Sequence, residues 1–297
     1  MSQLAQAAEQ IIYLPLNELF PFPHHPFKVL DDEQMEKTAE SIREQGVLVP
    51  GIVRPRAEGG YEIISGHRRK RACELAGIDT MPVIVRNLDD DAAVLVMVDT
   101  NLQRENILPS ELAFALKMKI EALKHQGKRE ELTSPLLEEK SGDRSGWSVS
   151  QVAGELGRSV AKIQRIIRLT YLIPPLLQMV DDRKIKFNPA VELSFLRPEE
   201  QEQVISALEN AQTSPSVSQA QRLKKLSQEG KLTREAMDEI FAEIKKPPLD
   251  QSFLRNPRIR KYFPKSYSDE KVAEVILRLV ERWHQQQVKK RQQQQGR

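Results

Sequence analysis

The sequence predicts an α+β protein, with a small mixed N-terminal domain followed by an all-α helix-turn-helix domain and a helical C-terminal region. Up to residue 108, short apolar segments alternate with amphipathic helical segments, which is typical of strands and helices packed together in one domain. After Pro109 the strand signal ends, and helical periodicity continues with prolines between the segments. Residues 148–172 carry the spacing of a helix-turn-helix.

These changes of pattern predict four parts of the chain. Residues 11–108 form the mixed domain, and residues 109–200 form the helical domain with the helix-turn-helix. Residues 201–247 form a helical extension. Residues 248–297 form a C-terminal helical region that ends in a disordered, glutamine-rich tail.

Composition argues against several classes of protein. The chain of 297 residues has one cysteine, Cys73, which closes no intrachain disulfide and builds no zinc site, so we expect a cytoplasmic protein. No apolar run approaches the roughly 20 residues of a membrane span, and the N-terminus lacks a secretory pattern, so no membrane partner is expected. The net charge of +3 is too small to indicate nucleic-acid binding by itself.

Local signals predict each element of the mixed domain. Asp31 or Asp32 can cap the first helix, and Gly46 can end it. A second helix ends at Gly77, and three acids open the third helix, where the helix dipole favours them. The predicted order is a strand with a proline-rich arm, helix, strand, strand, helix, strand and helix, at residues 11–30, 31–46, 47–55, 59–66, 67–77, 81–88 and 89–105.

The helical part begins at the proline that follows the mixed domain. Ser110 is the predicted cap of a helix that reaches Gly127. Residues 128–146 are polar and predict a loop. From Trp147 onward nearly every segment has helical periodicity.

The densest positive charge lies in the segment ISGHRRKRA, residues 64–72. Four cations, Arg68 to Arg71, directly follow Ser65 and Gly66 at the start of a predicted helix. Cations in a first helical turn oppose the helix dipole, and a bound anion would reverse that cost. Because glycine lets the backbone approach and the first N–H groups are free, a polyphosphate is the best-matched ligand. A solvated run of charge is the alternative interpretation.

A second polar segment, VDTNLQRENILPSE, occupies residues 98–111. It concentrates polar side chains at a helix end before a proline. Arg104 could close on a phosphate, and the side-chain oxygen of Asn101 could ligate Mg²⁺. An ordinary polar helix terminus is the alternative interpretation.

These segments, in this order over roughly residues 11–200, resemble the ParB family of DNA partition proteins. GHRRKRA is similar to that family's Gly-Glu-Arg-Arg-x-Arg-Ala box, and TNLQRENILP is similar to its Glu-Asn-Leu-Gln-Arg box. The resemblance implies a CTP pocket, with the first box on the triphosphate and the second box on phosphate and metal. The segment LVPGIVRP would supply the cytosine side.

Carried over by this resemblance, the nucleotide-binding residues are Gly51, Ser65, Gly66, His67, Arg68, Arg69, Arg71, Asn101, Gln103 and Arg104, and Asn101 is also the metal ligand. Two residues depart from the family pattern. His67 replaces the glutamate of the first box, and Thr100 replaces the glutamate expected to help hold Mg²⁺. We therefore expect weak Mg²⁺ binding and at most slow CTP hydrolysis, and we assign no catalytic residue.

The same fold is shared with sulfiredoxins, whose catalytic motif is similar to Gly-Cys-His-Arg. This sequence keeps His67 and Arg68 but has Gly66 where that cysteine would stand. Cys73, about two turns further on, is predicted to be a packing residue. A sulfiredoxin-like enzyme or a nuclease is therefore the less favoured class, since the sequence has no acidic metal cluster of nuclease type.

Residues 148–172 meet the positional requirements of a helix-turn-helix. Ala153 lets the two helices approach, Gly157 permits the turn, and Ile163 and Ile166 bury the crossing. The second helix then exposes side chains that suit base edges and phosphates. The predicted DNA-binding residues are Ser159, Ala161, Lys162, Gln164, Arg165 and Arg168, with Gln164 and Arg165 as base readers. An ordinary helical hairpin with a basic face is the alternative.

The C-terminal region holds an amphipathic helix. Val272, Ile276, Leu279 and Trp283 follow 4-3-4 spacing, which suits either a partner helix or docking on the chain's own domain. ParB proteins usually dimerise through a C-terminal domain, so the resemblance implies a homodimer.

The sequence therefore predicts a nucleoid-associated protein that binds a specific double-stranded DNA site. As a ParB-type factor it would act as a CTP-switched clamp in chromosome or plasmid partition, together with a ParA-like ATPase. A nucleoid-occlusion protein or a mobile-element transcriptional regulator built from the same modules remains the alternative.

Overall fold

The computed structural model of the chain describes residues 10–104, 106–133, 144–211, 214–242, 251–264 and 266–295. The chain divides into two units, Met1–Ala242 and Glu243–Arg297. The first unit holds the sheet and the helices that follow it, and the second unit is helical.

Within the described residues, the first unit has one mixed sheet of five strands. The strands are β1 (Ile11–Pro15), β2 (Leu19–Pro21), β3 (Gly51–Pro55), β4 (Tyr61–Ser65) and β5 (Thr80–Val85). Their order is β1-β5-β3-β4-β2, with β1 antiparallel to β5, β3 antiparallel to β4, and the β3–β5 and β2–β4 pairs parallel. The short β2 lies in the segment predicted as an irregular arm.

Helices α1 (Glu33–Gln45), α2 (His67–Ala76) and α3 (Asp90–Leu102) complete the mixed domain. Alternate strand residues point to opposite sides of a sheet, so neighbours in β4 enter different cores. Ile63 packs with α1 and α2, whereas Ile64 packs with α3. Asp32 is the observed cap of α1, because its carboxylate accepts from the N–H of Met35.

The remaining helices of the first unit are α4 (Pro109–Thr133), α5 (Arg144–Glu155), α6 (Val160–Arg168), α7 (Pro174–Asp181), α8 (Phe187–Leu193), α9 (Pro198–Ala211), α10 (Val217–Gln228) and α11 (Arg234–Ala242). A third apolar core joins them and includes Leu116 of α4, Ile163 of α6 and Leu176 of α7. The mixed α/β part is thus followed by a helical region, as the sequence predicts.

Two details of α4 correct the sequence analysis. Ser110 is not the cap, because the helix starts one residue earlier and the N–H and hydroxyl of Ser110 donate to the buried carboxylate of Asp181, at 3.0 and 2.6 Å. The helix also continues to Thr133, through residues predicted as a loop, because Lys, Arg, Glu and Leu at 128–132 are all good helix formers. The rest of that predicted loop up to residue 143 lies outside the described residues.

The second unit contains α12 (Gln251–Leu254), α13 (Pro257–Arg260) and α14 (Asp269–Gln295). Helix α14 runs to Gln295, where the sequence analysis expected a disordered tail. Of the predicted apolar seam, Val272 is buried, whereas Leu279 and Trp283 are 55% and 60% exposed. None of the helices in the described ranges is long and apolar enough to cross a membrane.

Candidate functional site

Two glycines shape the start of α2. Gly66 stands before the helix with φ at 117°, a backbone conformation that glycine adopts readily. A Cβ on Gly51 would lie 2.5 Å from Cε of Met81 and 3.1 Å from the carbonyl oxygen of Ser65, and one on Gly66 would lie 3.2 Å from the Cα of Gly51. The first N–H groups of α2 therefore emerge where two strand ends pass each other closely.

Arg69 is held by backbone oxygens rather than by acids. Its guanidinium donates to the carbonyls of Val49 and Pro50, both at 2.6 Å, and lies 3.5 Å from the hydroxyl of Ser65. Burial lowers its pKa, and the charge of Arg104 lowers it further. Arg69 thus ties the segment before β3 to the α2 start while keeping its charge uncompensated by a carboxylate.

The other cations of the first box have different partners. Arg71 forms two bonds to Asp31, at 2.9 and 2.6 Å, and one to Glu74 at 3.0 Å. Arg68 makes one longer contact of 3.3 Å to Asp32. Arg71 is therefore neutralised by two carboxylates, while Arg68 and Arg69 carry most of the excess charge.

The second box brings a third arginine to this place. Arg104 is exposed, yet neighbouring protein atoms partly desolvate it and lower its pKa; Glu111 opposes that shift, and the charge of Arg68 adds to it. Arg104 also lies over the ring of Phe27, with 5.4 Å between the guanidinium carbon and the ring centroid. Arg104 repels both Arg69 and Arg68, so three cations from the two boxes lie close enough to interact near the start of α2.

His67 opens α2 as a neutral side chain. Burial, together with the smaller effects of His25, Arg104 and Lys70, lowers its pKa to about 3. Its Nε2 accepts from the N–H of Phe22 at 3.3 Å, and its ring centroid lies 3.8 Å from that of His25. The family's glutamate is thus replaced here by a group without charge.

His25 also lies at this site, and no sequence motif predicts it. Its Nδ1 donates to the carbonyl of Phe27 at 2.8 Å, and its buried Nε2 has no hydrogen-bond partner. The signal was present in the arm, where two histidines precede Pro26 and Phe27. Nothing local indicates that this ring would contact His67, because 42 positions separate the two residues in the chain.

The other members of the second box point elsewhere. Asn101 is buried, and its Nδ2 donates to the carbonyl of Met97 at 2.8 Å. The Thr100 hydroxyl donates to backbone carbonyls within α3, and the carboxylate of Asp99 binds Lys119 at 2.5 Å. Gln103 is exposed at the end of the helix, and Glu105 lies outside the described residues.

In the part of the chain that the structure describes, no three His, Cys, Asp or Glu side chains form a group able to hold a metal ion. The role of Asn101 as a metal ligand stays a prediction. Cys73 is fully buried, and burial raises the pKa of its thiol. It packs in the core beneath α2, as predicted, and is no exposed nucleophile.

Helices α5 and α6 form the predicted helix-turn-helix. Gly157 has φ at 59° in the turn, and Ser159 caps α6 by accepting from the N–H of Lys162. Ala153, Ile163 and Ile166 are buried in the crossing. The predicted contacts that α6 leaves exposed are Ala161, Lys162, Gln164 and Arg165.

Residues in α8 and directly after it contact the cations of α6. Arg165 donates to Oδ1 of Asn188 at 3.0 Å, and Lys162 lies 4.0 Å from the ring centroid of Phe187. Arg168 donates to the carbonyl of Ser194 at 2.8 Å and lies over the ring of Phe195. Arg168 is thus tied to the end of α8, while Lys162, Gln164 and Arg165 present their polar ends at the surface.

The fold and the two sites define a class of protein: a mixed α/β domain with an arginine-rich helix start, followed by helices that carry a helix-turn-helix. The family model of the ParB N-terminal domain matches residues 1–102. A nucleoid occlusion protein of Halalkalibacterium halodurans is 30% identical over 251 residues, which cover 84% of this chain and 77% of that protein. The chain belongs to the ParB family.

Two further comparisons give the extent of the likeness. The chromosome-partitioning protein Spo0J of Thermus thermophilus is 32% identical over 66% of this chain, and the match spans 64% of that relative's length. A C-terminally truncated ParB of Caulobacter crescentus, solved with CTP-gamma-S, is 26% identical over 62% of this chain and 92% of that one, with a TM-score of 0.31.

Proposed function

We propose that this protein is a sequence-specific DNA-binding partition factor whose hold on DNA is switched by CTP. The observation that carries the proposal is Arg69 beside the start of α2, held by carbonyls rather than by a carboxylate. Arg104 is near enough to repel both Arg69 and Arg68. Their repulsion costs stability until an anion arrives, and that charge excess in a partly buried place is typical of a functional site. Membership of the ParB family supports the same function.

A triphosphate suits this geometry. The N–H groups after Gly66 and the dipole of α2 favour phosphate. Arg68 and Arg104 supply charge from two sides, while Arg69 already braces the strand segment that would pass beside the base. The choice of cytosine rests on the resemblance of both boxes to the family pattern. Neutral His67 supplies no carboxylate for metal binding or for proton removal, so the nucleotide would act as a switch and turn over slowly at most.

The DNA would be read by α6. A recognition helix of this kind lies in the major groove with its N-terminal part toward the bases. Gln164 and Arg165 can donate to base edges, and Lys162 can bind phosphate. Ser159, whose hydroxyl caps α6, would orient the start of that helix toward the DNA backbone. Arg168 would position α6 indirectly, through its hydrogen bond at the end of α8.

Partition would further require a homodimer and a ParA-like ATPase. The exposed apolar residues of α14, Leu279 and Trp283, are the surface that we assign to the second copy. With dimerisation there, nucleotide binding would close two mixed domains over the DNA. The Thermus relative is named a chromosome-partitioning protein, which supports this role.

A second candidate function is nucleoid occlusion. The Halalkalibacterium relative bears that name, and its match covers more of this chain than the match to the Thermus relative does. A nucleoid occlusion protein would use the same nucleotide switch and helix-turn-helix but would bind sites dispersed over a chromosome.

Chromatin immunoprecipitation tests the proposal in the native host. We expect signal that spreads over kilobases around one or a few neighbouring sites, together with faulty segregation when the gene is deleted. Many separate sites with intact segregation would favour nucleoid occlusion. One sharp peak without spreading would contradict a clamp and leave a plain regulator. The variant Arg165→Ala is the control, since loss of a base reader should remove site selection and leave general DNA binding.

A further inference from the structure

Lys119, near the middle of α4, is a buried cation with two anionic partners. The residue is 4% exposed, and its Nζ lies 2.5 Å from Oδ1 of Asp99 and 2.6 Å from Oε2 of Glu155. An ammonium group taken out of water is costly unless such partners are present. These interactions keep the pKa of Lys119 above its usual value in spite of burial. The lysine therefore joins one carboxylate from α3 to one from α5.

Each carboxylate lies next to one of the two candidate sites. Asp99 is in the last turn of α3 and directly precedes Thr100 and Asn101 of the second box. Glu155 is the last residue of α5, two positions before the turn glycine of the helix-turn-helix. Carboxylates at helix C-termini are disfavoured by the helix dipole unless a cation offsets them. The ammonium of Lys119 and the carboxylates of Asp99 and Glu155 therefore stabilise one another.

Apolar packing connects the same elements. Ala115 of α4 lies in the core with Met97 and Val98 of α3. Leu116, the next residue of α4, lies in the core with Ile163 of α6. Leu102, at the end of α3, packs against both cores. Helix α4 is thus shared between the second box and the helix-turn-helix, and Lys119 is the charged contact along that path.

We propose that Lys119 is a positioning residue that couples the second box to the helix-turn-helix. The inference rests on the proposed function, since it assigns the route by which nucleotide and DNA sense each other. A ligand that displaces residues 99–104 takes one carboxylate away from a buried ammonium. The remaining pair with Glu155 then favours a different placement of α5. By reciprocity, DNA that reorients α5 changes the affinity of the second box for nucleotide.

The test compares Lys119→Met with the wild type. Methionine has a similar length and no charge, and the carboxylates left behind are already 54% and 41% exposed, so water can solvate them. The dissociation constant of CTP is measured with and without a duplex that the wild-type protein selects from random DNA. We expect a wild-type coupling factor of about 5 or more. In the variant the factor should fall close to one, while each ligand alone binds with nearly unchanged affinity. An unchanged factor overturns the inference.

Arg234→Met is the control. It removes a 3.2 Å ion pair with Asp238 within α11 and a hydrogen bond to the carbonyl of Gln203 on α9, and these contacts involve neither the second box nor α5 or α6. We expect it to keep the wild-type coupling factor. If this variant loses coupling as fully as Lys119→Met, the effect is a general loss of rigidity and the assignment to Lys119 is wrong.

The two arms of the bridge can also be cut separately. A bridge needs both contacts, so Asp99→Asn and Glu155→Gln should each remove coupling, and the double variant should lose no more than either one. Independent structural contacts would instead give losses that add. Additive losses therefore contradict a bridge.

Failure of the proposed function gives a different result from failure of the Lys119 proposal. If the wild-type protein binds no CTP, the proposed nucleotide switch is wrong. Amide hydrogen exchange of the free protein then tests the positioning role of Lys119 without a ligand. Positioning by Lys119 predicts faster exchange at residues 97–104 and 150–155 together in Lys119→Met, with no such change in Arg234→Met. Unchanged exchange in both segments would refute the positioning role on its own.

Discussion

Arg69 has two tasks at once, and both follow from its surroundings. It braces the segment before β3 through the carbonyls of Val49 and Pro50, and it keeps a positive charge beside the α2 start. Carbonyl oxygens satisfy the N–H donors of a guanidinium without cancelling its charge. The side chain is therefore held in place for an anion before any anion binds, which reduces the ordering cost of binding.

Arg69→Ala should weaken CTP binding by about 2–5 kcal/mol, because phosphate charge would be left unpaired in a partly buried site. Calorimetry with CTP, ATP and GTP measures the change, and the wild type should prefer CTP. Arg43→Ala is the control, since Arg43 also donates to a carbonyl, that of Leu75, but lies on α1. Equal affinity of wild type and Arg69→Ala for CTP would remove Arg69 from the site.

His67 makes folding stability depend on pH. Its pKa is 6.5 in the unfolded chain and about 3 in the fold, so the unfolded chain alone takes up a proton between those values. The free energy of unfolding is therefore unaffected by this group above pH 6.5. It falls as the pH drops toward 3, by at most about 1.4 kcal/mol per pH unit.

His67→Gln should flatten that dependence, since glutamine can accept the N–H of Phe22 and does not titrate. The free energy of unfolding is measured by denaturant titration between about pH 7 and pH 5, where the unfolded chain takes up the proton, and its slope against pH is compared with that of the wild type. His25, whose pKa burial also lowers, should keep part of the slope in the variant. His284→Gln, at an exposed residue of α14, is the control. A slope in His67→Gln as steep as that of the wild type would show that His67 titrates normally.

At the scale of elements, the helix-turn-helix depends on the conformation of its turn. Gly157 has φ at 59°, and no heavy atom would lie within 4 Å of an added Cβ, so a substitution there meets backbone strain but no clash. Gly154, three residues earlier in α5, has equal space but no positive φ. Substituting each glycine in turn therefore distinguishes the cost of backbone strain in the turn from the effect of helix propensity.

Gly157→Ala should destabilise the protein by about 1–2 kcal/mol, the cost of a left-handed residue with a side chain. Gly154→Ala should leave stability unchanged or raise it by up to about 1 kcal/mol, because alanine favours helix. Denaturant unfolding followed by circular dichroism measures both. Equal effects of the two substitutions would mean that the turn tolerates a side chain and that its geometry is not strained.

At the scale of the molecule, the first unit contains both candidate sites, and α4 contributes to the apolar cores of both. Ligand binding at one site alters binding at the other only if α4 can take two placements and the ligand has a different affinity for each. The coupling must then be the same in both directions.

Specific DNA should change the affinity for CTP by the same factor by which CTP changes the affinity for specific DNA. Titrations that close the full binding cycle measure both factors. In a dimer with CTP we also expect retention on circular DNA in high salt and release when that DNA is cut, because a closed clamp holds by topology rather than by charge. Release from circular DNA by salt alone would leave an ordinary electrostatic complex, whose affinity falls steeply with salt.

The sequence by itself determined what depends on local pattern. Periodicity predicts the alternation of strands and helices. Residues with special backbone preferences mark the turn at Gly157 and the end of α2 at Gly77, and the basic box at the start of α2 is visible in the sequence itself. Burial of Cys73 was also predictable, since it lies on the small-residue face of α2.

Only the tertiary structure decided which distant side chains meet. Three sets of contacts join residues that lie 19 to 42 positions apart in the chain: the carbonyl partners of Arg69, the ring contact of His25 with His67, and the bridge from Asp99 through Lys119 to Glu155. Such contacts depend on how strands are ordered and how helices cross, which periodicity does not encode. The start of α4 shows the same limit: Ser110 has the residue type of a cap, yet Asp181, 71 positions away, takes both of its donors.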